Sequence, residues 1–332
     1  MKYSRSEAKQ WVRETLRGYT VVTTTPFKAD LEIDVPALRR NVEATLALPG
    51  TNGLYMGSIY QEFWTLTLDE RKLVTDVILE ANAGRVPVIA GISHTSLKDS
   101  IDLARHAQAA GADLAMCWPP YWGPRNERGV DDYYRRIADA VDIGLCVYSS
   151  ALAETGYYIT PEQMVRLAEI DTVVAAKEAS LSLSKYSAML EAAGRLIPIS
   201  SPLEEYHLYG LAAFGEAVMP KFLFGSSRPI YMQSAEKPHC VDFWRAVEAG
   251  DLEAARKPLA AILAVANDVH SKYLSKGEHN VALTKYAFSL FGIEAGTVRP
   301  PLAWPSQAEI DELERVLRRN QLLDRPKHPR AA

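Results

Sequence analysis

A chain of 332 residues, 48% hydrophobic and 23% charged, is long enough for one large or two ordinary domains around a substantial core. Its formal net charge of −4 supplies no basic field for nucleic acid or an anionic membrane, and no run of about 18 apolar residues reads as a spanning helix. Cys117, Cys146 and Cys240 are too sparse for a disulfide framework and lack metal-ligand spacing, so the expectation is a cytoplasmic protein without metal or cofactor.

Residues 4–17 have an amphipathic pattern and predict a short helix ending near Gly18. The charges from Lys2 to Arg17 leave no apolar segment for a signal peptide. Short apolar runs then recur at 21–25, 53–56, 86–90, 113–117, 143–148, 172–176, 196–199 and 216–219, each followed by helical periodicity. Unbroken apolar runs, rather than in–out alternation, mark strands buried on both faces, as in a parallel sheet. Thr67-Leu68-Asp69-Glu70 and Thr160-Pro161-Glu162-Gln163 are capping boxes, and Ser96 can cap another helix. Gly84, Gly111 and Gly194 are placed to end helices in the left-handed conformation. Strand–helix units joined by right-handed crossovers predict an α/β fold, a (β/α)8 TIM barrel. The competing doubly wound sheet wants a glycine-rich phosphate loop after its first strand, which Thr23-Thr24-Thr25-Pro26-Phe27 is not. Beyond residue 228 the strands stop, and 239–249, 251–274, 280–291 and 306–318 read as helices. The chain therefore divides into an N-terminal helix (1–18), the barrel (19–228) and a C-terminal helical domain (229–332). Arg325, Lys327 and Arg330 read as a frayed tail.

Lys177 closes the apolar run from Thr172 to Ala176. Burial disfavours the charged amine and lowers its pKa from ~10.4. A neutral amine is a nucleophile toward a ketone or aldehyde; the bland alternative is a lysine that snorkels to solvent. In a (β/α)8 barrel the chemistry sits at the C-terminal ends of the strands, which places Lys177 after strand six beside Tyr148 at the end of strand five. A phenol there can relay the protons that imine formation and C–C cleavage move. Tyr55, Tyr60, Phe63, Trp64, Trp118, Tyr121 and Trp122 give the mouth flat apolar faces, with barrel packing or a subunit interface as their structural alternative. His94 reads as a structural helix-start histidine, and Lys221 and Lys285 lack both the apolar run and the tyrosine partner.

Thr25-Pro26-Phe27, Thr65-Leu66-Thr67 with Glu70-Arg71, Arg85 to Gly91, Ala110 to Asp113 and, above all, Lys177-Glu178-Ala179-Ser180 resemble the dihydrodipicolinate synthase/N-acetylneuraminate lyase family of class I aldolases over about residues 19–302. The resemblance implies a barrel with a C-terminal helical domain. It also implies a homo-oligomer, tetramer or dimer, and an imine between Lys177 and pyruvate or another 2-oxo acid, with Tyr148 as proton relay. Departures bear on specificity. Gly57-Ser58-Ile59-Tyr60-Gln61-Glu62 stands where the family's carboxylate-binding Gly-Thr-Thr-Gly-Glu is usual, leaving Ser58 and amides near Ile59 and Tyr60 as donors. Tyr121-Trp122 replaces a tyrosine pair and is similar to the hydratase-aldolase branch with aromatic substrates. Ser149 to Gly156 lacks the arginine that grips a distal carboxylate in the synthases. Ser201-Pro202-Leu203-Glu204 makes a polar rim bulkier.

The expected function is a Schiff-base lyase on pyruvate or a larger 2-oxo acid with an apolar or aromatic second half. Lys177 and Tyr148 carry the chemistry, and Ser58, Ile59, Tyr60, Tyr121, Trp122 and Met219 line the pocket. Two alternatives stand beside it: an imine-forming dehydratase, deaminase or decarboxylase, and a non-catalytic ligand-binding barrel.

Overall fold

A computed structural model describes residues 1–150, 157–274 and 280–323. Ala151 to Gly156 of the altered fifth loop, and Arg325, Lys327 and Arg330 of the tail, lie outside the described residues. Eight strands form one parallel sheet: β1 (Gly18–Val22), β2 (Thr51–Met56), β3 (Val88–Gly91), β4 (Leu114–Cys117), β5 (Gly144–Ser149), β6 (Val173–Glu178), β7 (Ile199–Ser200) and β8 (Phe222–Ser226). Their order, β7-β6-β5-β4-β3-β2-β1-β8, is that of a nearly closed barrel. The β7–β8 seam is stitched by a side chain: Ser200 Oγ donates to the Phe222 carbonyl (2.9 Å) and accepts from the Phe224 amide (3.1 Å). The intervening helices are α2 (Val35–Ala47), α3 (Leu68–Asn82), α4 (Leu97–Ala110), α5 (Glu127–Ala140), α6 (Pro161–Ala168), α7 (Leu183–Ala193) and α8 (Glu204–Phe214).

Alternation along each strand sorts the core into two layers. Cys146, Tyr148 and Ala175 face the barrel interior, whereas Leu145, Val147, Val173 and Ala176 face the surrounding helices. The interior layer is continuous at one end with α1 (Ala8–Thr15). There Tyr3 Oη donates to the Asp113 carbonyl (2.5 Å) and accepts from the Gly144 amide (2.9 Å), so the N-terminal segment closes the barrel floor.

The capping box at Thr67 forms fully. Thr160 caps Gln163 N, but the Gln163 side chain turns instead to Asp131 and Tyr157. Gly111 ends α4 at φ 94°, and Ala83 just before Gly84 takes the left-handed cap of α3. Gly194 differs from expectation: it stays right-handed at φ −62°, because the chain tightens into a turn with Leu196 N donating to the Ala193 carbonyl.

Strand bounds also differ, β1 and β7 among them, and two of the differences bear on the site. β6 extends through Glu178, so Lys177 lies inside a strand rather than after it. β8 is Phe222–Ser226, not 216–219. Met219 consequently sits before β8, at the floor end of the barrel.

The C-terminal part comprises α9 (Arg228–Tyr231), α10 (His239–Glu248), α11 (Leu252–Ala266), a π-helical turn (Asn267–Ser271), α12 (Lys272–Leu274), α13 (Val281–Ser289) and α14 (Gln307–Arg319). No helix among the described residues is long and apolar enough to cross a membrane.

Candidate active site

Tyr148 and Lys177 are register partners on β5 and β6 and share one cavity at the C-terminal ends of the strands. Lys177 is 6% exposed. Its Nζ stands 5.1 Å from the Tyr148 ring centre and 5.3 Å from that of Tyr55, and donates to the Gly225 carbonyl at 3.5 Å. No carboxylate pairs with it among the described residues, so desolvation acts alone and pulls its pKa down to about 7. Half of such an amine is neutral at physiological pH. Tyr148 is held by Trp118, stacked at 4.4 Å and 30°. Gly225, at φ +61°, is required here: a Cβ would come within 2.8 Å of Lys177 Nζ and 2.6 Å of the Tyr55 ring.

The loop after β2 forms one wall. Gly57 at φ +69° lets the chain pass against Gly91, whose backbone a Cβ would meet at 2.9 Å. Ser58 then starts a 3-10 turn, Ile59–Gln61, whose first amides have no acceptor within the turn. The Gln61 side chain accepts from the Gly57 amide (2.5 Å), fixing the turn from within. From β1, Thr24 and Thr25 hydroxyls donate to the Tyr60 and Gln61 carbonyls (2.9 and 3.0 Å). Ser58 Oγ is buried in the cavity wall without a protein hydrogen-bond partner. A buried hydroxyl of this kind is a vacant donor for a ligand.

The sequence pattern of the Dihydrodipicolinate synthetase family matches residues 15–320. The chain belongs to that family. It is 30% identical to a 4-hydroxy-tetrahydrodipicolinate synthase of Methanothrix thermoacetophila, over 91% of this chain and 96% of that protein. It is 32% identical to one of Pelobacter propionicus, over 86% and 92% respectively. The crystal structure of dihydrodipicolinate synthase from Aquifex aeolicus superposes with a TM-score of 0.80 at 26% identity, covering 92% of this chain and 99% of that one. Dihydrodipicolinate synthetase family members are class I lyases that work through a lysine Schiff base, and this chain is an enzyme of that class with aldolase-type chemistry on pyruvate.

Of the residues singled out from the sequence, this family member gathers Lys177, Tyr148, Ser58, Ile59, Tyr60, Tyr55 and Trp118 at one cavity. Tyr121, with Phe63 and Trp64, lines an adjoining apolar cavity that shares Ile59 and Trp118 with it. Trp122 is 82% exposed and lines neither. Met219 is removed from the site by the position of β8. It contacts Tyr186 and lines a depression at the barrel floor with Arg17 and Lys221. His94 is structural, accepting from Ser96 N at 3.0 Å beside Asp99.

Among the cavity residues that escaped the sequence reading are Ser227, Arg228 and His270. Phe222-Leu223-Phe224-Gly225-Ser226-Ser227 was a strand-end signal for the first two. Arg228 is buried and engaged, with Nη1 on Glu204 (2.5 Å) and both amino groups on Glu205 (2.6 and 2.9 Å). Two carboxylates already pair with the one guanidinium, which leaves it no charge to spare for clamping a substrate carboxylate.

Proposed function

We propose that Lys177 condenses with the carbonyl of a 2-oxo acid and that Tyr148 carries the protons of the reaction. Lys177 adds to carbon 2, the carbinolamine hydroxyl leaves as water with a proton supplied through Tyr148, and the resulting iminium draws the electron pair of the C3–C4 bond while the Tyr148 oxygen, left as the phenolate, takes the proton of the carbon-4 hydroxyl. An enamine and an aldehyde result; run backwards, the same steps join them. The Ser58 hydroxyl and the Ile59 and Tyr60 amides hold the carboxylate. The observation that carries this reading is Lys177 itself, buried in an open cavity, with its pKa lowered to about 7 and a tyrosine on the neighbouring strand.

The distal half is neutral and apolar or aromatic. The adjoining cavity, about 290 Å³ and lined by Ile59, Phe63, Trp64, Trp118, Tyr121, Val281 and Leu302, supports this, as does an Arg228 already paired with two glutamates. A homodimer or tetramer, the assembly the family resemblance implies, gives exposed Trp122 a partner surface. Borohydride in the presence of pyruvate should add the reduced pyruvyl mass to the peptide containing Lys177, and Lys177→Ala should abolish it. Absence of that adduct with pyruvate and with aryl-substituted 2-oxo acids sinks the reading. Release of an aldehyde from a 4-hydroxy-4-aryl-2-oxobutanoate separates aldol cleavage from dehydration, deamination or decarboxylation.

A further inference from the structure

A separate cavity of about 270 Å³ lies at the barrel floor, at the far end of the strands from Lys177. α8 contributes His207 and Leu211 to it, α10 contributes Trp244 and Val247, and the turn before β8 contributes Met219 and Pro220. Two of these side chains are buried polar groups without partners. His207 is 1% exposed and Trp244 7%, and neither His207 Nδ1 nor Trp244 Nε1 has a hydrogen-bond partner among the described residues. Their rings stand 5.2 Å apart, tilted by 46°. Buried polar atoms in native folds are paired, so two unpaired nitrogens on adjacent rings of one cavity wall mark a place for a ligand group.

The chemistry of the walls says which group. Burial alone pulls the His207 pKa down to about 3, so its imidazole is neutral, with one N–H and one bare nitrogen. The indole has only an N–H to give. A hydroxyl answers both rings: its oxygen accepts from Trp244 Nε1, and its proton goes to His207 Nδ1 when that nitrogen is the bare one. A carboxylate finds donors here but no charge to pair with. The imidazole carries none, Arg17 Nη1 already donates to the Arg13 and Leu16 carbonyls (2.8 and 2.7 Å), and the cations Arg17 and Lys221 share the walls with the anions Glu216 and Glu248. Water could pair the nitrogens, but it would leave the apolar faces of Leu211, Met219, Pro220 and Val247 wet. A dry cavity of about 150 Å³ takes benzene, so this one has room for a fused pair of rings.

We infer that the floor cavity is a binding site, independent of the Schiff-base site, for a neutral aromatic molecule that carries a hydroxyl group. His207 and Trp244 hold the hydroxyl, and the apolar walls hold the rings.

The test uses the full-length chain with isotope-labelled tryptophan, read by the indole N–H signals in NMR. The chain has six tryptophans, and the signal missing from Trp244→Phe belongs to Trp244. Titration with 2-naphthol should move that signal saturably, with a dissociation constant below about 1 mM. 2-Methylnaphthalene, which lacks the hydroxyl, and 2-naphthoate, which replaces it with a charge, should each bind about tenfold more weakly or worse, the scale of one buried hydrogen bond. His207→Leu should weaken 2-naphthol by a similar factor, with the indole signals other than that of Trp244 unmoved to show that the chain is folded. A Trp244 signal that 2-naphthol leaves in place, or a shift confined to the other indoles, overturns the site. Equal affinity for 2-methylnaphthalene, or unchanged affinity in folded His207→Leu, overturns the role of the hydroxyl, and tighter binding of 2-naphthoate makes the cavity an anion site instead. The three-ligand comparison needs only the unaltered chain, so it decides the matter even if His207→Leu does not fold.

Discussion

Lys177 and Glu178 are consecutive residues of β6 and therefore face opposite layers, the amine toward the barrel interior and the carboxyl toward the helices. Burial moves both toward neutrality, the amine down to about 7 and the carboxyl up to about 7. For Lys177 the consequence is kinetic. The neutral fraction rises with pH through about 7, so the rate of imine trapping with pyruvate should climb about tenfold per unit below that value and level off above it. A limb near pH 10 instead shows an ordinary solvated lysine. For Glu178 the consequence is stability. Its folded-state pKa lies above the ordinary 4.5, so the folded form holds its proton more tightly than the unfolded form. That contribution is complete below about 4.5 and is lost as pH rises through about 7. Glu178→Gln keeps the shape without the charge, and should raise Tm relative to wild type at pH 8 but not at pH 4.5, read by thermal denaturation at both.

The loop after β2 shows what an element needs beyond its own sequence. Glu62, left-handed at φ 54°, ends the 57–62 loop, and both it and Lys285 of α13 are fully buried. Lys285 Nζ donates to Glu62 Oε1 (2.6 Å), the Thr25 carbonyl (2.9 Å) and the Thr297 carbonyl (2.7 Å), so all three of its protons are placed. Glu62 Oε2 accepts from the Arg299 amide (2.9 Å). The pair bolts the candidate carboxylate loop to the C-terminal domain. Removing one partner strands the other as a buried charge, a loss of about 3–5 kcal/mol. Lys285→Met should therefore lower Tm by several degrees and also weaken pyruvate trapping; an unchanged Tm means that Glu62 finds water when its partner is gone.

None of this pairing was legible in the sequence. Lys285 has no apolar run or tyrosine to announce it, and its partner is 223 residues away. Lys177 and Tyr148 were legible because a buried parallel strand writes itself as an apolar run, and a polar residue at its end stands out. The misplaced eighth strand, and Met219 with it, came from the same rule. Glu216 to Met219 is as apolar as a short strand, but Gly215 at φ 74° spends it on the turn before β8.

At the scale of the whole molecule, the boundary near residue 228 divides secondary structure but not the core. One cluster of buried side chains runs from Tyr3, Val12 and Leu16 through Tyr55, Tyr148 and Phe222 to Trp244, Phe288 and Leu317. β8 leads into α9, whose Arg228 returns to α8 through Glu204 and Glu205. Lys285 and Arg299 reach back to the loops after β1 and β2, and His270 reaches the cavity between them. A chain cut after residue 228 would leave Glu62 unpaired and expose the apolar surface that the C-terminal helices cover, without the groups that pin the candidate carboxylate loop. Exposed apolar area of that extent drives association. The truncated chain should therefore aggregate or lose its near-UV circular dichroism, while the full chain unfolds in one transition seen alike by far-UV dichroism and by loss of pyruvate trapping. A truncated monomer that keeps sharp near-UV bands and still traps pyruvate at Lys177 would mean that the barrel is a folding unit of its own. The C-terminal helices would then act on the site through the Glu62 contact and the side chains they add to its walls.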